Sequence, residues 1–193
     1  MAGEFDIPVP HYPGLYIGYV VDRSDPEGLG RVRIRVPGLL EPASAWAWPL
    51  GTVGGGSRGR GFYCVPDLGA ECGVLFHAGD IDHPYFLAGH WGRPDGEPEV
   101  PTPVRGLPPD EAPQLRVFET GRFLLGFDDR NGREALRIED KVSGDQIVLD
   151  GFAMAVTIKA TSSLSLQCDG VVSIEGVSVV INGRPVLAGG GAI

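Results

Sequence analysis

Between residues 27 and 38 the chain reads EGLGRVRIRVPG, which puts Val32, Ile34 and Val36 on one side of an extended backbone and Arg31, Arg33 and Arg35 on the other. Successive side chains of a strand point to opposite faces, so strict alternation predicts a half-buried strand. Ahead of it, YIGYVVDRSDP (16–26) is an apolar run closed by turn residues, and a hairpin through Gly28 and Gly30 is expected to join the two. SAWAWPL (44–50) alternates again, with Trp46 and Trp48 on one face, and a Gly-rich loop follows over 51–61. Residues 61–92 supply three more strand candidates, separated by Pro-Asp, Gly-Asp and His-Pro turns. Roughly five or six short strands in about 80 residues suit a small closed barrel over 14–92.

The pattern stops at both ends of that region. Residues 1–13 hold three prolines and no periodicity, which predicts an extended arm, and 93–115 hold seven prolines, which predicts a semi-rigid polyproline II linker. Short strands resume over 116–152, with turns at 128–132 and 143–145; Asn131-Gly132 is a strong hairpin signal. Four similar blocks then occupy 153–193: VTIKA (156–160), LSLQC (164–168), VSIEG (172–176) and VVING (179–183). The first three begin eight residues apart and the fourth seven later. A fixed short period predicts stacked, equivalent turns.

Eight residues provide a five-residue strand and a three-residue corner, too little for one chain to wind a turn of a wide β-helix. A lone chain would leave Val156, Ile158, Leu164, Leu166, Val172, Ile174, Val179 and Ile181 on an uncovered face, and backbone ordering would go uncompensated. Three chains wound about a common axis give every strand neighbours and gather these eight positions into one core without long open edges. The expected fold is all-β: an N-terminal barrel followed by an intertwined triple-stranded β-helix formed by a homotrimer.

Composition sharpens this picture. The chain has 193 residues, 30 of them Gly and 17 Pro, close to the level at which low complexity is suspected. Its 42% hydrophobic content alternates with polar residues, so frequent tight turns, and no long helices, are the reading. A formal net charge of -9 argues against neutralising many phosphates, and no nucleic-acid partner is expected. Cys64, Cys72 and Cys168 are too scattered for a disulfide framework or a zinc site and read as small buried residues. The start MAGEFDIPVPHYPG lacks the basic and apolar parts of a secretory signal, so synthesis and assembly in the cytoplasm are expected.

The order of these motifs resembles a known family. Strand, Asp-Pro turn, a Gly-Arg-Val strand ending in Pro, a Trp-containing strand, then GFYCVPDLG and GDIDHP (61–69 and 79–84) are similar to the OB-fold domain of contractile-tail spikes. That family includes phage baseplate assembly protein V, the VgrG spikes of type VI secretion and the spikes of extracellular contractile injection systems. The segment 121–150 also resembles the lead-in to the spike shaft. The resemblance implies three OB barrels around a needle at the centre of a virion or injection-particle baseplate, driven mechanically through a target envelope when the sheath contracts. It implies a separate baseplate hub protein as partner, since the hub domains fused ahead of the barrel in VgrG are missing. No lysozyme-like insertion follows the barrel. The His-x-His iron motif at the apex of some phage spikes is absent after His90, so either a PAAR-type tip protein caps the end or the end closes without metal.

No catalytic, cofactor or metal residues are expected. His77, His83 and His90 with Asp80 and Asp82 have spacings that fit no standard ligand pattern and read as turn chemistry. The Gly-rich loop lacks the Gly-Lys-Ser/Thr of a phosphate cradle. Asp128 and Asp129 read as turn residues and Ser162 and Ser163 as corners, with no base at usable spacing. Trp46 and Trp48 are assigned to barrel packing or hub contact. They also carry the alternative function, an OB-fold adaptor for oligonucleotides or polysaccharides with a β-rich oligomerisation tail.

Overall fold

The computed structural model describes residues 11–51 and 58–186. The N-terminal arm up to residue 10, most of the Gly-rich loop and the tip beyond residue 186 lie outside the described residues. The chain divides into two compact units, Met1–Val100 and Pro101–Ile193. Among the described residues there are strands and short 3-10 turns, and no α-helix.

In the first unit, β1 (Tyr16–Asp22), β2 (Arg33–Arg35), β3 (Trp48–Pro49), β4 (Glu71–Phe76) and β5 (Pro84–Leu87) form one sheet in the order β2-β1-β4-β5-β3. Neighbours are antiparallel except β3 and β5, which run parallel. Two hydrogen bonds between Val32 and Ala47, 2.8 and 3.2 Å, link the outer strands, so the sheet curls into an OB-like half-barrel. Val32, Ile34 and Val36 are buried as the alternation requires and meet Val20, Val74 and Phe86 in the core. Each such side chain contributes roughly 1.5–3 kcal/mol on burial.

Three expectations for this unit need correction. SAWAWPL is a strand only at Trp48–Pro49, because Ser44 turns inward and its hydroxyl accepts the Ile34 N–H at 3.0 Å. The candidate strand within 61–70 does not form. Pro66 has no N–H for a ladder, and a turn over 67–70 returns the Gly69 N–H to the Val20 carbonyl at 2.8 Å. Of the three cysteines only Cys72 is buried, its thiol pushed up to about 11 by desolvation; Cys64 and Cys168 are exposed.

The stretch 93–115 is not continuous polyproline II. Turns at Pro94–Gly96, Thr102–Val104 and Ala112–Gln114 break it, each with a proline in its first two positions, where the fixed φ of the ring suits a helical turn.

The second unit is a five-stranded antiparallel meander: β6 (Leu115–Glu119), β7 (Phe123–Asp128), β8 (Ala135–Asp140), β9 (Gln146–Asp150) and β10 (Ala155–Lys159), adjacent in chain order. The Asn131-Gly132 hairpin forms between β7 and β8, with Gly132 at φ 77. VTIKA, expected to open the shaft, forms the last strand of this sheet in the single chain: Val156 pairs with Leu149 and Ile158 with Ile147. Local alternation identifies a strand but not its partner, and a short turn over 151–154 brings β10 back onto β9. The fourth block is likewise a hairpin, β11 (Val180–Ile181) with β12 (Arg184–Pro185), turning at Asn182-Gly183. Residues 162–178, which contain the second and third blocks, form no strand within the chain.

Candidate functional site

Asp25, in the β1–β2 connection, organises that loop. Its carboxylate accepts the N–H groups of Glu27, Leu29 and Arg31 at 2.8–3.2 Å, and the Arg31 guanidinium at 2.7 Å through Nη2. Both side chains are nearly inaccessible, Asp25 at 3% and Arg31 at 9%. The Arg31 hydrogen bond holds the Asp25 carboxyl well below the usual carboxylate range, against the opposing effect of desolvation. Glu27 adds a second partner for Arg31 at 2.7 Å. Alternation alone puts Arg31 on the solvent face; the Asp-Pro turn folds back over it.

The indoles stack on this latch. The Arg31 guanidinium carbon lies 5.1 Å from the Trp48 ring centroid and 6.0 Å from that of Trp46, while Arg33 lies 6.0 Å from Trp46. Neither indole belongs to the barrel core: Trp46 is half-buried and Trp48 is 42% exposed. They lie as a cation–π cover over the buried Arg31–Asp25 pair.

The histidines are dispersed. His83 Nδ1 lies 2.8 Å from Asp80, in the turn expected of Gly-Asp and His-Pro, and His90 Nδ1 lies 2.5 Å from Glu71. Among the described residues no group of three or more His, Cys, Asp or Glu is arranged to hold a metal ion.

Ion pairs in the second unit fasten turns. Arg130 bridges Asp128 (2.7 Å) and Glu111 (2.8 Å), pinning the Pro-rich approach to the β7–β8 turn, and Arg116 pairs with Asp129. Asp128 ends β7 and Asp129 follows it, and each has a cationic partner. Glu119 accepts the Thr102 N–H at 2.6 Å and Lys141 at 2.7 Å; burial would raise its carboxyl, and these partners outweigh that and lower it. Where the chain leaves β10, the Thr161 N–H donates to Asp145 at 2.6 Å and its hydroxyl to the Ser143 carbonyl at 2.8 Å. The Glu111, Glu119 and Thr161 contacts join residues 16 to 22 positions apart, and no local pattern signals them.

The eight residues assigned to the shaft core do not meet one another in a single chain. Val156 and Ile158 lie on β10 and Ile181 on β11, while Leu164, Leu166, Val172 and Ile174 lie outside any strand. Seven of the eight are 48–71% exposed, and Val179 is half-buried. Ser162 and Ser163 are exposed between β10 and the second block.

Residues 16–91 match the family model of the Type VI secretion system/phage-baseplate injector OB domain. The match spans the curled sheet and its loops, and it supports a baseplate-associated role, and a location in a virion or injection particle, for the chain that carries it. No curated protein matches the chain.

Proposed function

We propose that this chain is the subunit of a central, non-enzymatic spike: a homotrimer at the tip of a contractile baseplate, driven through the target envelope when the sheath contracts. The observation that carries the reading is the sequel to the injector OB domain. In the same chain, a repeat with an eight-residue period exposes seven of its eight apolar positions, by 48–71%, when the chain stands alone. Monomeric proteins seldom leave so much apolar surface in water. Three copies would bury it and supply neighbours to 162–178, and a shaft built so resists axial load because opening it separates three chains together.

The partners of this reading are two further copies, a separate hub protein meeting the OB domain, and either a PAAR-type cap or self-closure at the far end. Contact with the envelope is mechanical. Assembly takes place in the cytoplasm of the producing cell. The test is the mass of the full chain in solution, expected near three times 20.5 kDa.

The half-exposed Trp48 beside Arg31 and Arg33 favours a second reading, an OB-fold adaptor that stacks bases or sugars. The net charge of -9 opposes the oligonucleotide version. Titration of Trp fluorescence with single-stranded DNA is expected to show no binding at physiological salt; tight binding would favour the adaptor.

A further inference from the structure

On the side of β2 turned away from the core, two arginines and two indoles alternate in one stack. Trp48, the Arg31 guanidinium, Trp46 and the Arg33 guanidinium follow one another, each cation 5.1–6.0 Å from its ring centroids. The two cations are unlike. Arg31 is covered by the β1–β2 loop, and its charge is met by Asp25 and Glu27, both at 2.7 Å. Arg33 is exposed, and its Nε donates to the Ser44 carbonyl at 3.0 Å. No carboxylate among the described residues pairs with Arg33, so Nη1 and Nη2 remain open as a two-pronged donor. The anchor is firm, because Ser44 is 2% exposed and its hydroxyl is tied to the Ile34 N–H and the Ala45 carbonyl.

We infer that this stack is a binding site for an extended segment of a protein partner that carries one carboxylate and apolar side chains on the same face. The carboxylate takes both Nη groups of Arg33, and an apolar side chain packs on Trp48, which is 42% exposed. A planar guanidinium already oriented through Nε offers a carboxylate two parallel, charge-assisted hydrogen bonds. The half-open indole adds a large, rigid apolar contact beside it. Side chains two apart on an extended peptide share a face, which gives the segment its pattern.

The carboxylates around the stack decide against a polyanion. The Glu27 side chain, beside Arg31, is 62% exposed, and that of Glu41, 3.6 Å from Arg35, is 53% exposed. A run of phosphates along β2 would meet these glutamates with a single open cation to compensate, whereas polyanion binding draws on several. A lone carboxylate among apolar neighbours reaches Arg33 and avoids both. The site belongs to the first unit alone, so it goes beyond the spike reading and does not depend on the number of chains.

The test is an NMR titration of the full-length protein with the blocked peptide Leu-Ala-Glu-Ala-Leu, its counterpart with Gln in place of Glu, and single-stranded oligothymidine. The Glu peptide is expected to shift the Arg33 Nε–H and Trp48 indole N–H resonances saturably, and to leave unmoved that of Trp91, which is exposed but outside the stack. The Gln peptide should bind about five-fold more weakly or worse. Arg33→Gln should erase that difference, and Arg33→Lys should restore only part of it, since a point charge lacks the fork. The wild-type resonances and the two peptides decide the matter even if Arg33→Gln does not fold. No saturable shift at Arg33, or equal binding of the two peptides, overturns the inference. Oligothymidine shifting Arg33 at physiological salt more tightly than the Glu peptide also overturns it and makes the stack a polyanion groove.

Discussion

Gly18 marks how closely the barrel is packed at single positions. A Cβ there would lie 2.5 Å from Ile34 Cγ2, 3.0 Å from Val74 Cγ2 and 3.2 Å from the Arg35 carbonyl, so a methyl group has no room between β1, β2 and β4. Gly18→Ala should destabilise the barrel by about 1–3 kcal/mol, read from its denaturation midpoint, and an unchanged midpoint would mean that β1 does not pack as described. Acid acts through a different set of residues. Hydrogen bonds from Arg31, Arg130 and Arg122 lower the carboxyls of Asp25, Asp128 and Asp140 respectively, and contacts from Thr161 lower that of Asp145. A carboxyl lowered on folding adds stability that is complete above its unfolded value, about 4, and is lost as pH falls through the folded value. Thermal stability should therefore be nearly flat from about pH 8 to 5 and decline below about 4. Because the exposed pairs are screened, Asp25→Asn should remove the largest single share of that acid dependence. An identical pH profile for the variant would contradict the latch. The latch itself was hidden from the sequence: Arg31 stands at an outward position of an alternating strand, and only the folded loop shows that Asp25 covers it.

At the level of elements, the sequence was legible where one face is buried by its immediate neighbours. RVRIRVPG contains β2, with Ile34 in it and Val32 and Val36 beside it all buried, and Asn131-Gly132 marks the β7–β8 hairpin. Legibility failed where a partner distant in sequence, or a missing donor, decides the outcome. SAWAWPL alternates, but the inward Ser44 interrupts it to serve the Ile34 N–H; Pro66 ends a strand candidate; VTIKA pairs, as β10, with β9 because the 151–154 turn returns it there. Both Trp46 and Trp48 lie against the Arg31 guanidinium, a contact that alternation does not signal. Two substitutions probe these joints. Ser44→Ala leaves the Ile34 N–H without the hydroxyl and should cost the barrel about 1–3 kcal/mol in denaturant unfolding. Thr161→Val removes the hydroxyl donated to Ser143 at the root of the octad stretch, and should speed limited proteolysis after β10 while leaving the barrel's midpoint unchanged. Equal proteolysis rates would mean that this hydroxyl does not hold the root.

For the molecule as a whole, the two units differ in how far they satisfy themselves. The first encloses a core of its own and carries the injector OB-domain match. The second leaves most of its apolar face and its repeat in water when alone, although the repeat was the clearest pattern in the sequence. In the spike reading a single chain displays that period but cannot close it, so the strand pairing of a shaft has no counterpart within the described residues of one chain. The high Gly and Pro content fits the same division: turns in the barrel and breaks in the 93–115 stretch. In the spike reading the folding unit is three chains. Sedimentation equilibrium of the full-length protein tests that claim most directly: the account predicts a mass about three times 20.5 kDa, and a species at 20.5 kDa over the whole concentration range would contradict it.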